Sequence, residues 1–294
     1  MKFLSAFIAI IGPPNVGKST LLNRLLGVKV AIVSQKPQTT RNRILGIYQG
    51  DGYQMVFMDT PGIHKTLTPL HESMVNSAKA AIYEVDIIVV MIEMPYPDDP
   101  DISLILSNLK KAKKPTLLLI NKIDKGPQKK ILHIIDSYRK LYRFDVIIPI
   151  SALRGDGIEE FLEQLKTRLK PGPLFFPPDM KTDQPESFLV SEVIREKIYH
   201  YTRRELPYSS AVTVEKMEEI AEKDLVTISA RIHVEKNSQK AILIGSMGRM
   251  IKKIGRSSRE ELEEIFKAKI FLDLMVRVEK NWSKNSKALR RLGY

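Results

Sequence analysis

Gly12-Pro13-Pro14-Asn15-Val16-Gly17-Lys18-Ser19-Thr20 is the stretch on which the reading of this chain turns. It fits the pattern G-x-x-x-x-G-K-[ST], a glycine-bounded loop whose successive backbone N–H groups cradle phosphate oxygens. In such a loop the lysine puts a point charge on the β- and γ-phosphates, and the following hydroxyl joins a magnesium shell. Lys18 and Ser19 hold those two places. The surroundings agree. Residues 4–11 are apolar, as a strand buried on both faces should be, and 19–26 carry a helical period.

Further apolar runs stand at 53–58, 86–92, 115–120 and 146–150, separated by helical patterns near 71–83, 101–110, 128–142 and 157–169. Alternation of this kind predicts an α/β unit, a mostly parallel sheet with helices on both faces. Residues 38–48 add one antiparallel edge strand, giving six strands in all. The apolar N-terminal residues run straight into the glycine loop rather than a small-residue cleavage site, so they read as a buried first strand.

A phosphate loop serves adenine and guanine nucleotides alike, so the base reader must be sought elsewhere. Asn121-Lys122-Ile123-Asp124 ends the run 115–120, where open α/β sheets place ligand loops. A carboxylate there accepts from the ring N1–H and the exocyclic amine of guanine, whereas adenine would leave it partly unpaired. Asp124 is therefore the predicted guanine reader. Asn121 and Lys122 stand beside it, and Ser151 and Ala152, after the next strand, complete the base pocket.

Asp59-Thr60-Pro61-Gly62 follows the run 53–58. Asp59 suits a magnesium carboxylate and the Gly62 amide a γ-phosphate contact that exists only with the triphosphate. Gln38-Thr39-Thr40-Arg41 lies in an irregular, proline-preceded segment, where a hydroxyl can complete the metal shell. Position favours Thr40, with Thr39 close behind. Switch loops are expected at 34–43 and 60–73. Ile63 stands where a water-positioning glutamine would be sought, and His64, next along, is read as incidental.

The chain has 294 residues, long enough for two domains, and no cysteine, which excludes disulfides, thiolate zinc sites and cysteine nucleophiles. Oxygen and phosphate chemistry in a reducing, cytoplasmic setting fits best. Formal charge is +13, with 24 basic against 17 acidic side chains before Lys181 and 23 against 17 from there on. That surplus suits a polyanion, chiefly nucleic acid, with the anionic membrane surface as a peripheral alternative. A monomer is expected.

Residues 171–186 are proline-dense and read as a linker between a nucleotide domain at 1–170 and a second domain at 187–280, followed by an extension at 281–294. The second domain reads as a helix (187–204), strands (210–214 and 225–235), helical material (245–267) and a last strand (270–279). Within it, Gly245-Ser246-Met247-Gly248 leads into a helix bearing Arg249, Lys252, Lys253, Arg256 and Arg259, with no acid among them. A G-x-x-G pair alone is weak. Followed by this basic run, it predicts a loop that admits phosphates to the main chain, with Arg249, Lys252, Lys253 and Arg256 beside it. Trp282 is expected to pack on the domain edge, while 286–294 could extend the RNA surface.

The four elements of the first domain, in this order, resemble the translation-factor-related GTPases over about 4–170. The second domain resembles a type 2 KH domain with its GxxG loop at 245–248, although its loop carries Ser246 and Met247 where many have a basic residue. The pairing resembles the Era family of bacterial GTPases over almost the whole chain, including the FFPPDM and TDQP segments of the linker. The resemblance implies GTP hydrolysis with Mg2+, and a K+ ion near Asn15 in place of an arginine finger. It further implies single-stranded RNA near the 3′ end of 16S ribosomal RNA as the ligand, and assistance to small ribosomal subunit assembly. Three other readings stay open: a GTPase tethered to RNA for another processing or modification step, a non-enzymatic RNA adaptor, and a membrane-surface switch.

Overall fold

The computed structural model describes the whole chain except Met1, Gln35, 64–68, 95–98 and Gln128, and the backbone alone for Lys223. The chain passes from one compact unit to a second between Asp183 and Gln184. In the first unit the elements run β1 (Leu4–Ile11), α1 (Lys18–Leu26), β2 (Ile44–Gly50), β3 (Tyr53–Asp59), α2 (Pro69–Glu84) and β4 (Ile87–Glu93). They continue with α3 (Ile102–Ala112), β5 (Thr116–Asn121), α4 (Lys129–Leu141), β6 (Val146–Pro149), α5 (Ile158–Lys166) and β7 (Lys170–Pro171). The sheet order is β2-β3-β1-β4-β5-β6, parallel except for β2 against β3. The expected six strands with one antiparallel edge are present.

Ala78, Ile82, Ile105, Leu109, Ile134 and Tyr138, from α2, α3 and α4, close over Ile88, Val90, Leu118 and Ile120 in one core. Leu21, Leu22, Phe161 and Leu165, from α1 and α5, are likewise buried. Burial of β4 on both faces explains why its sequence is a continuous apolar run rather than an alternation.

Two departures from expectation bear on function. The edge strand begins at Ile44, because Gln38 turns with φ 59° and the residues before Ile44 stay irregular. More consequentially, most of the proline-dense segment read as a linker is fastened to the first unit. Pro171 and Lys170 pair with Leu4 and Ser5 of β1, the part of β1 that β4 does not reach. Buried Gln54 then receives the Phe175 and Phe176 amides on Oε1 (3.0 and 3.1 Å) and donates from Nε2 to the Phe176 carbonyl (2.9 Å). Finally Ile47 N–H donates to Lys181 O at 2.9 Å, and Gly46 bridges to Thr182.

The second unit is α6 (Glu186–Tyr201), β8 (Ser210–Ile220), β9 (Leu225–Val234), α7 (Asn237–Ile244), α8 (Arg249–Phe266), β10 (Lys269–Val278) and α9 (Ser286–Arg291). Its sheet runs β10-β9-β8, with β9 parallel to β10 and antiparallel to β8. β8 extends six residues past the expected end, through a bulge between Val214 and Lys216, because pairing with β9 holds a run too polar to show a strand period. Val193, Ile194 and Ile198 of α6 and Ile254 and Leu262 of α8 build the core on this sheet. Trp282 is fully buried: its indole N–H donates to Ser209 O at 3.0 Å and its ring stacks on Tyr294.

Candidate functional site

The phosphate loop joins β1 to α1, so the N-terminus of α1 faces whatever the loop holds, and its unpaired N–H groups favour an anion there. Gly17 has φ 102°, and a Cβ on it would stand 2.4 Å from Asn121 Nδ2, so only glycine fits. Lys18 is buried. Its ammonium donates to the carbonyls of Gly12 (3.2 Å) and Pro13 (2.8 Å), and burial brings its pKa down to about 8 against the pull of Asp59. Asn15 turns with φ 65° and leaves its side chain in solvent.

Behind the loop lies a cluster of oxygens. Ser19 Oγ donates to Asp59 Oδ2 at 2.7 Å and stands 2.8 Å from Thr40 Oγ1. Asp59 Oδ1 is buried with no hydrogen-bond partner. Burial pushes this carboxyl up to about 6, against Lys18 and the Ser19 and Thr40 hydroxyls, which favour its charge. Two hydroxyls and a buried carboxylate with one oxygen orphaned are a donor set for a hard divalent cation. Thr39 Oγ1 instead donates to Lys36 O, so the geometry separates the two threonines in favour of Thr40.

Because the folded-state pKa of Asp59 lies above its ordinary value, its contribution to stability is intact below about pH 4 and lost as pH rises through about 6. Lys18 is the mirror case: its contribution is lost as pH falls through about 8. Both charges are held at a cost at neutral pH, which phosphate on the lysine and a cation on the carboxylate relieve. Asp59→Asn should therefore raise the stability of the nucleotide-free protein at pH 7 by about 1–2 kcal/mol, with the gain fading towards pH 4. The same change should remove the extra stabilisation that Mg2+ adds to bound GTP. Thermal unfolding with and without Mg2+ and nucleotide reads both, and a destabilised ligand-free variant at pH 7 would contradict the assignment.

Arg41 and residues 60–63, also expected in the switch loops, are packed rather than free. Thr60 Oγ1 donates to Ile10 O (2.9 Å), Ile63 N–H donates to Gly12 O (3.2 Å), and Arg41, Pro61, Gly62 and Ile63 are buried. Buried Ile63 cannot orient a water molecule. His64 lies outside the described residues.

At the base end, Asn121 is a brace. Its Nδ2 donates to Val16 O (2.7 Å) and its Oδ1 accepts from Ala152 N–H (2.9 Å), tying the phosphate loop to the 151–152 turn. The Ala152 amide expected in the base pocket is thus engaged by Asn121. Asp124 Oδ1 accepts from Ser151 Oγ at 2.7 Å, which fixes the carboxylate's direction. Lys122, at φ 62°, donates to Asn15 O (2.7 Å) and pairs with Glu93, a residue that sequence reading missed. Arg24, also missed, donates to Ala152 O (3.3 Å) and to Leu153 O, holding the same turn from α1.

In the second unit, Gly245-Ser246-Met247-Gly248 forms the turn between α7 and α8, and Met247 is 91% exposed at its tip. Beside it a groove of about 300 Å³ runs between α8 and β10, walled by Ile251, Lys252, Gly255, Arg256 and Arg259 on one side and Leu272 and Leu274 on the other. Lys252, Arg256 and Arg259 recur at helical spacing and share that wall. Arg249 is exposed at the head of α8, its Nε donating to Ser246 O at 3.3 Å. Lys253 falls on a different side of the helix, its ammonium 4.4 Å from the centre of the Tyr201 ring, so the structure does not bring it to the groove with the others. The α8 spacing was the signal that would have placed Arg259 in the site and Lys253 outside it. A cationic, partly apolar cleft beside a glycine turn has the chemistry to take extended nucleic acid.

Comparison with known proteins finds a match for each unit. A family model described as "50S ribosome-binding GTPase" matches residues 7–122, and a KH domain model matches 205–283. GTPase Era of Geotalea uraniireducens is 50% identical over 293 residues, spanning all of this chain and 98% of the relative. GTPase Era of Syntrophus aciditrophicus is 49% identical over 294 residues, covering 100% of this chain and 96% of the relative. Among solved structures, a variant of Aquifex aeolicus Era bound to GDP and AlF4− superposes with a TM-score of 0.95 at 39% identity, covering 100% and 99% of the two chains. Era in complex with MgGDPNP and nucleotides 1506–1542 of 16S ribosomal RNA gives 0.96 at 39% identity, covering 99% of each chain. With identity of this order sustained from end to end, the chain belongs to the Era family of GTPases.

Proposed function

We propose that this GTPase binds single-stranded RNA at the 3′ end of 16S ribosomal RNA through its second unit and assists small-subunit assembly, with GTP favouring the RNA-bound state. The observation that carries the reading is the coexistence, on one chain, of the Ser19–Thr40–Asp59 oxygen cluster and the basic groove beside Gly245–Gly248. The relative solved with MgGDPNP and a 16S ribosomal RNA segment supports the pairing of ligands.

In this reading residues 12–20 cradle the phosphates, Lys18 neutralises charge on the β- and γ-phosphates, and Asp124 reads guanine with Asn121, Lys122, Ser151 and Ala152 around it. Ser19, Thr40 and Asp59 would hold Mg2+, which when bound supplies charge neutralisation across the phosphates. Thr40, 2.8 Å from Ser19 Oγ, ties the switch segment to that cluster, and Mg2+ would strengthen the tie. Arg249, Lys252, Arg256 and Arg259 face the RNA backbone. Because Ile63 offers no polar group, catalysis rests on preorganised charge rather than on a side chain that orients water. The exposed Asn15 side chain would help hold K+ as a further positive charge. A turnover number at least several-fold higher in K+ than in Na+ is expected, and equal rates would remove the ion from the scheme.

The protein acts as a monomer in the cytoplasm, and its positive surface admits anionic lipid at the membrane face as a weaker partner. No described helix is long and apolar enough to cross a membrane. In-cell crosslinking with RNA sequencing tests the target directly. A peak at the 3′ end of 16S ribosomal RNA is the expected result; a flat spread over many RNAs would favour a general tether for some other RNA step.

A further inference from the structure

We propose that the segment Lys181–Asp183 is a sensing strand, which reports the state of the nucleotide site to the RNA-binding unit through its pairing with β2. The inference rests on the reading above that GTP and RNA binding are coupled, and it names the covalent route of that coupling.

β2 is the strand into which the Thr40 segment runs. Its first residue, Ile44, pairs with Asp59, so β2 begins beside the metal carboxylate. Within the next three residues its outer edge meets the arm: Leu45 N–H donates to Asp183 Oδ1 (3.3 Å), Gly46 bridges Thr182, and Ile47 N–H donates to Lys181 O (2.9 Å). Only the four residues 41–44 therefore separate Thr40 from the first arm contact, at Leu45. One residue beyond Asp183 the second unit begins.

The earlier part of the arm is fixed differently. It is held on β1 by Lys170 and Pro171, and on β3 by the buried side chain of Gln54, both strands from the interior of the sheet. Phe175 packs on Phe7 of β1, with ring centroids 4.7 Å apart. Two prolines, Pro177 and Pro178, then stiffen the path to Lys181. The arm thus has a stationary anchor on the core strands and a second attachment on the edge strand that leaves the switch segment. A shift of β2 when Thr40 joins or leaves the metal shell moves Lys181–Asp183 against that anchor, at the point where the chain enters the second unit. Asp183 acts here as a positioning residue; it touches no nucleotide. A segment serving only as packing would show the same hydrogen bonds but would carry no nucleotide dependence.

The test measures the affinity of the full chain for a single-stranded RNA with the sequence of the 3′ end of 16S ribosomal RNA, loaded with GDP or with a non-hydrolysable GTP analogue. Two variants accompany the wild type: Asp183→Ala, and an insertion of about ten Gly/Ser residues between Asp183 and Gln184. The insertion leaves every arm contact intact and adds only slack. The wild type should bind RNA about tenfold or more tightly in the analogue state, the range usual for coupled sites. The insertion should reduce that ratio to below about twofold while basal GTP hydrolysis stays within about twofold, and Asp183→Ala should give an intermediate ratio. A ratio preserved in the insertion variant would overturn the arm as the route and leave the coupling standing. A wild-type ratio near one would overturn the coupling itself, and this inference with it.

Discussion

Gly248→Asp should lower affinity for single-stranded RNA by about 100-fold or more, equivalent to about 3 kcal/mol, while GTP affinity stays within about twofold. Gly248 has φ 73° and ψ 13°, a left-handed conformation in which aspartate is among the better tolerated side chains. A Cβ there meets nothing closer than Ile251 Cγ2 at 3.9 Å, so the change introduces no clash and the turn should form. What it does introduce is a carboxylate in the turn that receives phosphates, near the head of α8, where Arg249 stands without an acidic neighbour in the first turn. Repulsion of the RNA backbone and loss of close approach to the main chain then act together. Gly248→Ala separates the two, because it adds at least as much backbone strain without charge; its loss should stay below about tenfold. Fluorescence anisotropy at fixed salt reads both variants, and unimpaired binding by the aspartate variant would remove the turn from the RNA site. If GTP affinity fell in parallel, unfolding would be the cause, and the alanine variant would then carry the test.

The segments proposed to touch phosphate and base are legible in the sequence because each is contiguous. A phosphate loop needs Gly12 to Ser19 in one run, since neighbouring amides must converge on one anion, and the same holds for Asn121 to Asp124 at the end of a buried strand. Buried parallel strands announce themselves as apolar runs, so the strands that lead into these loops are legible one by one, while their order in the sheet is not. What could not be read was whatever depends on residues distant in sequence meeting through the fold. Gln54 holds amides more than 120 positions away, and nothing in its neighbourhood marks it as an anchor. Glu93 and Arg24 brace the base pocket in the same non-local way. The arm looked like a free linker because prolines and absent periodicity are shared by loose connectors and by segments that pack in extended form. α7 is only eight residues long and weakly amphipathic, too little for a periodic signal, and its buried Gln239 reads as surface until its bonds to Glu235 N and Ser209 Oγ are seen. Charge alone groups Lys253 with its neighbours; helix phase turns it onto Tyr201 instead.

Asp124→Asn should lower GTP affinity by about 100- to 1,000-fold and transfer the preference to XTP. Asp124 accepts a hydrogen bond from Ser151 Oγ on Oδ1 rather than capping the helical turn that contains it, so its carboxylate is oriented by the base pocket and not by a helix end. Guanine presents two donors to it, the ring N1–H and the exocyclic amine. Asparagine keeps one acceptor but turns the other position into an N–H donor that faces the amine. One charge-assisted bond is lost and two donors confront each other in a half-buried site, a loss of about 3–4 kcal/mol. Xanthine replaces the amine by a carbonyl oxygen, which the new amide can satisfy, so XTP should bind the variant about as GTP binds the wild type. Ser151 can still donate to the asparagine oxygen, and Asn121 keeps its bonds to Val16 and Ala152, so the brace between base and phosphate ends survives the change. Titration calorimetry with GTP and XTP in Mg2+ decides it. Undiminished GTP preference would show that another group reads the base. Loss of both nucleotides, with an unaltered melting temperature, would mean that the carboxylate shapes the pocket instead of reading guanine. The swap is informative beyond specificity, because a chain driven by XTP keeps its phosphate loop, its switch segment and its arm intact. Nucleotide-dependent RNA affinity restored by XTP alone would tie that dependence to this site, since no other guanine nucleotide pocket would respond to the exchange.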